Sequence, residues 1–101
     1  MTIRDDLIAA KALIDTPEKW WKGPAIGPAG EMCAVRACEK AVGLPPMGMH
    51  DDPYGRAYEM FIALNGKTPR GFVVSTYNDM PDTAHADIMA VFDRAIKALE
   101  P

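Results

Sequence analysis

The chain has 101 residues, 49% hydrophobic and 25% charged, a size and composition that fit one folded domain and exclude a disordered chain. Its 11 Lys and Arg against 14 Asp and Glu give a net charge of −3, which argues against nucleic-acid binding because that function needs a basic patch. No apolar run approaches the roughly 20 residues that cross a bilayer, and acids stand where a signal peptide needs basic residues, so we expect a cytoplasmic protein that does not bind membranes.

The first two predicted elements are a helix and a short helical turn with two tryptophans. Thr2 is the predicted N-cap of a helix from about Ile3 to Asp15, because acids follow near the positive end of the helix dipole and apolar residues recur on one face. Pro17 stands at the first position of a new turn that contains Trp20 and Trp21. Adjacent helical residues point about 100° apart, so we expect one indole ring in the core and the other partly exposed.

A Gly- and Pro-rich loop separates this turn from the second and third predicted helices. The second helix spans about Glu31 to Val42 and presents small apolar side chains, with Cys38 in the middle of its buried face and Cys33 at the edge. The third spans about Pro53 to Leu64, with Asp52 as its N-cap. Its apolar face consists of Tyr54, Ala57, Tyr58, Phe61 and Leu64. We expect these larger side chains to pack against the small ones of the second helix.

The last part of the chain contains an ambiguous segment and the clearest helix. Residues 71–77 are typical of a strand, but no second strand is visible to pair with them, so we favour a short helix. The final helix spans Thr83 to Leu99, and its apolar residues cover an arc of about 100°. Its polar side carries Asp87, Asp93, Arg94 and Lys97, and Asp93 and Lys97 have the spacing of an i,i+4 ion pair. Together these elements predict an all-α fold, a compact single-domain bundle of four main helices with one or two short helical turns over residues 1–101.

The polar run YNDMPDTAHAD precedes and enters the last helix. Asn78 and Asp79, followed by Pro81, are typical of a turn, because Asx side chains bond the backbone and proline fixes φ. Asp82 and Thr83 are alternative N-caps for the helix that follows. These roles account for most of the polar side chains in this run.

Three residues are the candidates for catalysis, namely Cys33, His50 and His85. A cysteine–histidine dyad needs neighbours in space and not in sequence, and Cys33 lies in the first predicted turn of its helix, where a thiol pKa is lowered. His85 has no metal-ligand partner three or four residues away, which favours a half-buried histidine bonded to a backbone carbonyl or water. No nucleotide, hydrolase or metalloprotease motif is present, so we predict neither a metal nor a cofactor.

The candidate binding surface consists of Trp20, Trp21, Met47 and Met49. Tryptophan is enriched among the residues that dominate protein interfaces, and methionine adapts its shape to a partner. A protein partner or self-association through these side chains is the prediction that follows.

The C-terminal run VVSTYNDMPDTAHADIMAVFDRAIKAL resembles the ending of an uncharacterised family of small helical proteins from actinobacteria and their phages. The residues that match the family pattern are Tyr77, Asn78, Asp79, Pro81, Thr83, His85, Phe92, Asp93, Arg94 and Ala95. The upstream runs WWKGPA and CAVRACEKA look like two further family elements, whereas Tyr77 stands where tryptophan is usual. The family has no assigned activity, so the resemblance implies a fold and a source but no chemistry.

The first function hypothesis is a non-enzymatic interaction protein, phage- or prophage-encoded, that binds a host protein in the cytoplasm. A small enzyme that uses Cys33 with His85 or His50 is the alternative. A structural helper that dimerises through an exposed aromatic patch is a further alternative.

Overall fold

The computed structural model describes residues 2–23, 26–44 and 55–100. Five helices lie in these ranges, namely α1 (Ile3–Leu13), α2 (Ala34–Ala41), α3 (Arg56–Asn65), α4 (Val74–Asp79) and α5 (His85–Ala98). Two 3₁₀ turns, Pro17–Lys19 and Pro69–Gly71, connect them, and no strand of a sheet occurs in the described ranges. The all-α prediction is confirmed: α1, α2, α3 and α5 are the four main helices, and the segment 71–77 contributes to the short helix α4.

The start of α1 follows the predicted capping pattern. Thr2 Oγ1 accepts the Asp5 N–H at 3.1 Å, and the Asp5 carboxylate accepts the Thr2 N–H at 3.2 Å. The hydrogen bond that the carboxylate accepts from the Thr2 backbone N–H lowers the pKa of Asp5, because it favours the charged carboxylate. The helix ends at Leu13, two residues before the predicted end.

The core lies where α1, α2 and α5 meet, with α3 and α4 packed against them. The small side chains of α2 are buried there, as predicted, and α5 buries the apolar face that its periodicity predicts. The fully or almost fully buried members of this core are Leu7, Ala10, Ile14, Ala34, Ala37, Cys38, Met60, Leu64, Val74, Ile88, Val91, Phe92 and Ala95. The Cα radius of gyration of 12.2 Å is close to the ~13 Å of a compact 100-residue domain.

The predicted buried face of α3 is partly wrong. Met60 is completely buried, whereas Tyr58 is 39% exposed and Phe61 is only half-buried. Seven of the ten residues of α3 are apolar, so apolar spacing alone does not determine which side of this helix faces the core. The helix begins at Arg56 with Gly55 as its N-cap, later than predicted, and the predicted start at Asp52 and Pro53 lies outside the described residues.

Two predicted helix starts also need correction. Helix α2 begins at Ala34 instead of Glu31, so Cys33 is its N-cap, with Sγ accepting the Arg36 N–H at 3.4 Å. Helix α5 begins at His85, so neither Asp82 nor Thr83 is its N-cap.

Ala84 occupies the N-cap position of α5. The hydrogen-bond acceptor for its backbone N–H is a side chain within the helix. The Asp87 carboxylate accepts the Ala84 N–H at 2.8 Å, which is the reciprocal half of a capping box. The Thr83 side chain is buried instead. Asp87, predicted to lie on the polar face, therefore has a structural partner.

Charged residues join α1 to both α3 and α5. The buried Asp6 carboxylate accepts two hydrogen bonds from the Arg56 guanidinium, one of them from Nε at 2.9 Å. Lys11 Nζ lies 2.6 Å from Asp93 Oδ1, so Asp93 pairs across helices instead of with Lys97 along α5. Both pairs join residues far apart in the chain, and neither was predicted from local spacing.

Candidate functional site

Asn78 is the most highly connected polar side chain of the YNDMPDTAHAD run. It lies in α4, is 1% exposed, and its Oδ1 accepts hydrogen bonds from Trp20 Nε1 at 2.7 Å and the Ala34 N–H at 3.1 Å. Its Nδ2 donates to the Trp21 carbonyl at 3.1 Å and to Asp79 Oδ1 at 2.9 Å. A carboxamide has two donor and two acceptor positions, and all four are occupied here.

The turn predicted at Asn78 and Asp79 is therefore wrong in position. Both residues end α4, and the chain turns after them, through Met80 and Pro81. The carboxamide of Asn78 holds the tryptophan segment against the N-terminus of α2, a role that the local sequence does not indicate because its partners are 44 and 58 positions away.

The segment after Trp20 has three further links to the end of α4. Asp79 Oδ1 accepts the Gly23 N–H at 2.9 Å, and Lys22 Nζ donates to the carbonyls of Met80 at 2.7 Å and Pro81 at 3.2 Å. The Lys22 ammonium also lies 5.7 Å from the centroid of the Trp20 ring, within the range of a cation–π interaction. Each of residues 20–23 is thus linked by a hydrogen bond to the end of α4 or to the two residues that follow it.

Both tryptophans are half-buried and packed within the protein. Trp20 packs against the core, and its ring centroid is 6.0 Å from that of His85. The Trp21 ring lies on Gly27, where an added Cβ would be 2.6 Å from Cε3 of the indole. Because no larger residue fits at Gly27 without moving the ring, the loop is shaped around Trp21.

Of the four residues predicted to form the binding surface, the two tryptophans make contacts within the protein. Trp20 uses its only polar atom internally, and Trp21 is covered on one face by Gly27. Met47 and Met49 lie outside the described residues. Their proposed role in binding stays a prediction.

His85 has the structural role that the sequence favours. Its Nε2 lies 2.7 Å from the Ile14 carbonyl oxygen, so this nitrogen carries a proton and donates to the carbonyl. The ring is half-buried at the first position of α5. The prediction of a half-buried histidine bonded to a backbone carbonyl is confirmed, and Nε2 is not positioned as a proton acceptor. His50, the other histidine candidate, lies outside the described residues.

The two cysteines are buried thiols in unfavourable surroundings for a nucleophile. Burial raises the pKa of the Cys33 thiol, although its side chain accepts an N–H at the start of α2, and it raises the pKa of the fully buried Cys38 further. The thiolate is the reactive form, and it is disfavoured at both positions. In the part of the chain that the structure describes, neither cysteine is hydrogen-bonded to His85.

Residues 2–23, 26–44 and 55–100 contain no cluster of three or more His, Cys, Asp and Glu side chains that could hold a metal ion. Within the same ranges, every helix is too short or too polar to cross a bilayer.

An apolar groove lies between α3 and α4 on the described surface. It has a volume of about 360 Å³ and is lined by Val35, Tyr58, Phe61, Ile62, Asn65, Val73, Val74 and Ser75. Ile62 is 53% exposed and Val73 is 54% exposed. The groove forms because α3 carries apolar residues on two sides and buries only one of them. The sequence signal for it was the surplus of apolar residues in α3.

The connection between α3 and α4 gives this groove a defined shape. Asn65 Oδ1 accepts the N–H of Val74 at 2.8 Å, and the Thr68 hydroxyl lies within hydrogen-bond distance of the carbonyls of Asn65 and Phe72. Arg70 has a left-handed backbone conformation with φ of 57°, which turns the chain so that Val73 faces the groove. These side-chain hydrogen bonds hold this wall of the groove in place.

Comparison with known proteins identifies one family for almost the whole chain. Residues 1–98 match a family of unknown function, DUF6197. No curated protein and no solved structure has a significant match to the chain. Because the match covers far more than half of the sequence, the expectation of an uncharacterised family is confirmed, and the chain belongs to the DUF6197 family of unknown function.

Proposed function

We propose that this chain is a protein-interaction module whose docking surface is the apolar groove between α3 and α4. The observation that carries the proposal is the exposure of Ile62 and Val73, which both line the groove and are each more than half exposed. Contiguous exposed apolar surface in a small folded protein is typical of a binding site. Scattered single side chains would carry no such meaning.

The spacing of the groove residues on α3 indicates the kind of segment that fits. Tyr58, Phe61, Ile62 and Asn65 follow the i, i+3, i+4, i+7 pattern of one helix face. A helix presents this pattern to another helix, as in the recognition of amphipathic helices by hydrophobic grooves. The proposed partner segment is therefore an amphipathic helix.

The proposed setting comes from the resemblance to small proteins of actinobacteria and their phages. In that setting the chain acts in the cytoplasm, encoded by a phage or prophage, and its partner is a host protein or a second copy of itself. The buried thiols and the donor role of His85 Nε2 favour binding over cysteine–histidine catalysis.

A photocrosslinking amino acid at position 62 tests the proposal in cells. The same group at Ile8, which is 42% exposed on α1 and outside the groove, is the matched control. We expect a discrete protein adduct from position 62 and not from position 8, and we expect Val73→Asp in the same chain to remove it. Identical adducts from both positions, or none from position 62, would refute the groove as a docking surface.

A further inference from the structure

We infer that the groove between α3 and α4 binds an amphipathic helix whose acidic side chains lie beside the connection from α3 to α4. This inference rests on the proposed function, because it states the chemistry of the segment that the same groove would bind. The eight residues that line the groove suit a single helix, since a globular partner usually contacts about 20 to 30 residues of each protein.

Residues 66–73, which connect α3 to α4, carry positive charge and no acid. Their cations are Lys67 and Arg70. The groove residues Asn65 and Val74 flank this connection and are joined by a 2.8 Å hydrogen bond from the Val74 N–H to Asn65 Oδ1. Both cations therefore lie next to the groove, at the end where α3 stops.

Arg94 adds a third cation at this connection. Its Nε and Nη2 donate to the Lys67 carbonyl at 3.1 Å and 2.8 Å. No acid among the described residues forms an ion pair with Lys67, Arg70 or Arg94. The cations that do pair with acids lie elsewhere, namely Arg4, Lys11, Lys19, Arg36 and Arg56. The three cations at the connection can thus pair with the acids of a partner.

The C-terminal end of α3 does not neutralise this positive charge. A helix C-terminus carries about half a negative elementary charge, which is much less than the charge of three cations. Glu59, the acid of α3, lies six residues before Asn65, which is about 9 Å away along the helix axis. Positive charge is therefore concentrated at the end of α3, and electrostatic complementarity favours a partner helix with its acids at that end.

The backbone of Arg70 supports a role for its side chain. Its φ of 57° makes it the only non-glycine residue with a positive φ among those that the structure describes. Glycine adopts this left-handed conformation at lower cost, and strained positions concentrate at binding and catalytic sites. A contact between the Arg70 guanidinium and an acid of the partner explains why arginine stands here.

Fluorescence anisotropy with two synthetic helical peptides tests the acidic partner. Both peptides have the same leucine face at i, i+3, i+4 and i+7 spacing, but one has glutamates at one end and the other has lysines at the same positions. We expect the purified full chain to bind the glutamate peptide at least about tenfold more tightly than the lysine peptide. The double variant K67E/R70E should reverse this preference. Lys40→Glu, the matched control at an exposed position of α2, should leave it unchanged.

Arg70→Gly separates the contribution of the guanidinium from the shape of the connection. Glycine adopts the φ of 57° without strain, so R70G should have an equal or higher melting temperature and yet bind the glutamate peptide more weakly. Undiminished binding of that peptide by R70G would contradict the contact assigned to Arg70.

Failure of this inference and failure of the proposed function give different results. Equal binding of the two peptides that is lost in Ile62→Asp would overturn the acidic partner but leave the groove as a docking surface. Binding of neither peptide, or binding that Ile62→Asp leaves unchanged, would also overturn the inference. The crosslinker at position 62 then tests the proposed function independently.

Discussion

Trp20 and Asn78, 58 positions apart in the chain, are joined by a 2.7 Å hydrogen bond from the indole Nε1 to the side-chain Oδ1. The same Oδ1 accepts the backbone N–H of Ala34 at the start of α2. One buried carboxamide in α4 thus links the segment of Trp20 and Trp21 to the start of α2. Buried networks of this kind specify a single arrangement when every member is satisfied.

Asn78→Ala is expected to lower the free energy of unfolding by about 3 kcal/mol. It leaves the Ala34 N–H, the Trp20 indole N–H and the Trp21 carbonyl without their partner, and each unsatisfied buried group costs about 1–3 kcal/mol, reduced here by the partial exposure of the tryptophans. Urea denaturation followed by circular dichroism measures the change. Thr76→Ala, at an exposed position of the same helix, is the control and should change stability by less than about 0.5 kcal/mol. A loss below about 1 kcal/mol for Asn78→Ala would contradict the role assigned to the carboxamide.

The two tryptophans should respond differently to the same substitution. Trp20→Phe retains an aromatic ring but removes the N–H bonded to Asn78, so we expect a loss of about 1–2 kcal/mol. No hydrogen bond from the Trp21 indole Nε1 to a described residue is present, so Trp21→Phe loses packing area but no side-chain hydrogen bond and should cost less. Chemical denaturation of both variants gives the comparison. A larger loss for Trp21→Phe would show that ring size, and not the Trp20–Asn78 bond, controls stability here.

Removal of Arg56 should destabilise the fold more than removal of its partner's charge. Arg56→Ala leaves the completely buried Asp6 carboxylate without its charged partner, and a buried unpaired charge is costly. Asp6→Asn leaves a neutral amide in the core and an Arg56 side chain that is 48% exposed and can be hydrated. Thermal unfolding should therefore give the order of melting temperatures unmodified chain, then D6N, then R56A. The reverse order of the two variants would mean that the pair is not buried as described.

The features that could be predicted from the sequence are those that depend on near neighbours. The Thr2 cap involves partners three residues apart, and the face of α5 follows from its periodicity alone. The buried face of α3 could not be predicted because most of its residues are apolar. Which side of the helix is buried depends on the surfaces of α1 and α2 against which it packs. The role of Asn78 and the pair of Asp6 with Arg56 depend on partners more than 40 positions away. The groove appears only once the turn at Arg70 has placed Val73 beside Ile62.

At the start of α5, the residue that accepts a hydrogen bond in the structure is Asp87, whereas the local sequence favoured Asp82 or Thr83 as the cap. Asp87→Ala should lower the free energy of unfolding by about 1 kcal/mol, because it removes the acceptor for the Ala84 N–H at the helix start. Asp82→Ala, which changes an exposed residue that precedes the helix, should have an effect of less than about 0.5 kcal/mol. Denaturation of the two variants at pH 7 measures both. Equal losses would mean that Asp82 also contributes to capping.

The buried Cys38 thiol should make stability fall at alkaline pH. Burial raises the pKa of this thiol in the folded chain above its ordinary value of 9.0, so above about pH 9 the unfolded chain loses a proton that the folded chain retains. The unfolded state is then favoured, by up to about 1.4 kcal/mol for each pH unit above the unfolded thiol pKa. The stabilising contribution of the neutral thiol is fully present below pH 9 and is lost only as the pH rises toward the folded pKa. Unfolding free energies at pH 7, 9 and 10 measure this for the unmodified chain and for Cys38→Ala, which keeps every other titrating group. We expect C38A to be less stable at pH 7, because it leaves a cavity, but to lose less stability between pH 9 and 10. Parallel losses in the two proteins would show that Cys38 ionises as easily in the folded chain as in the unfolded one.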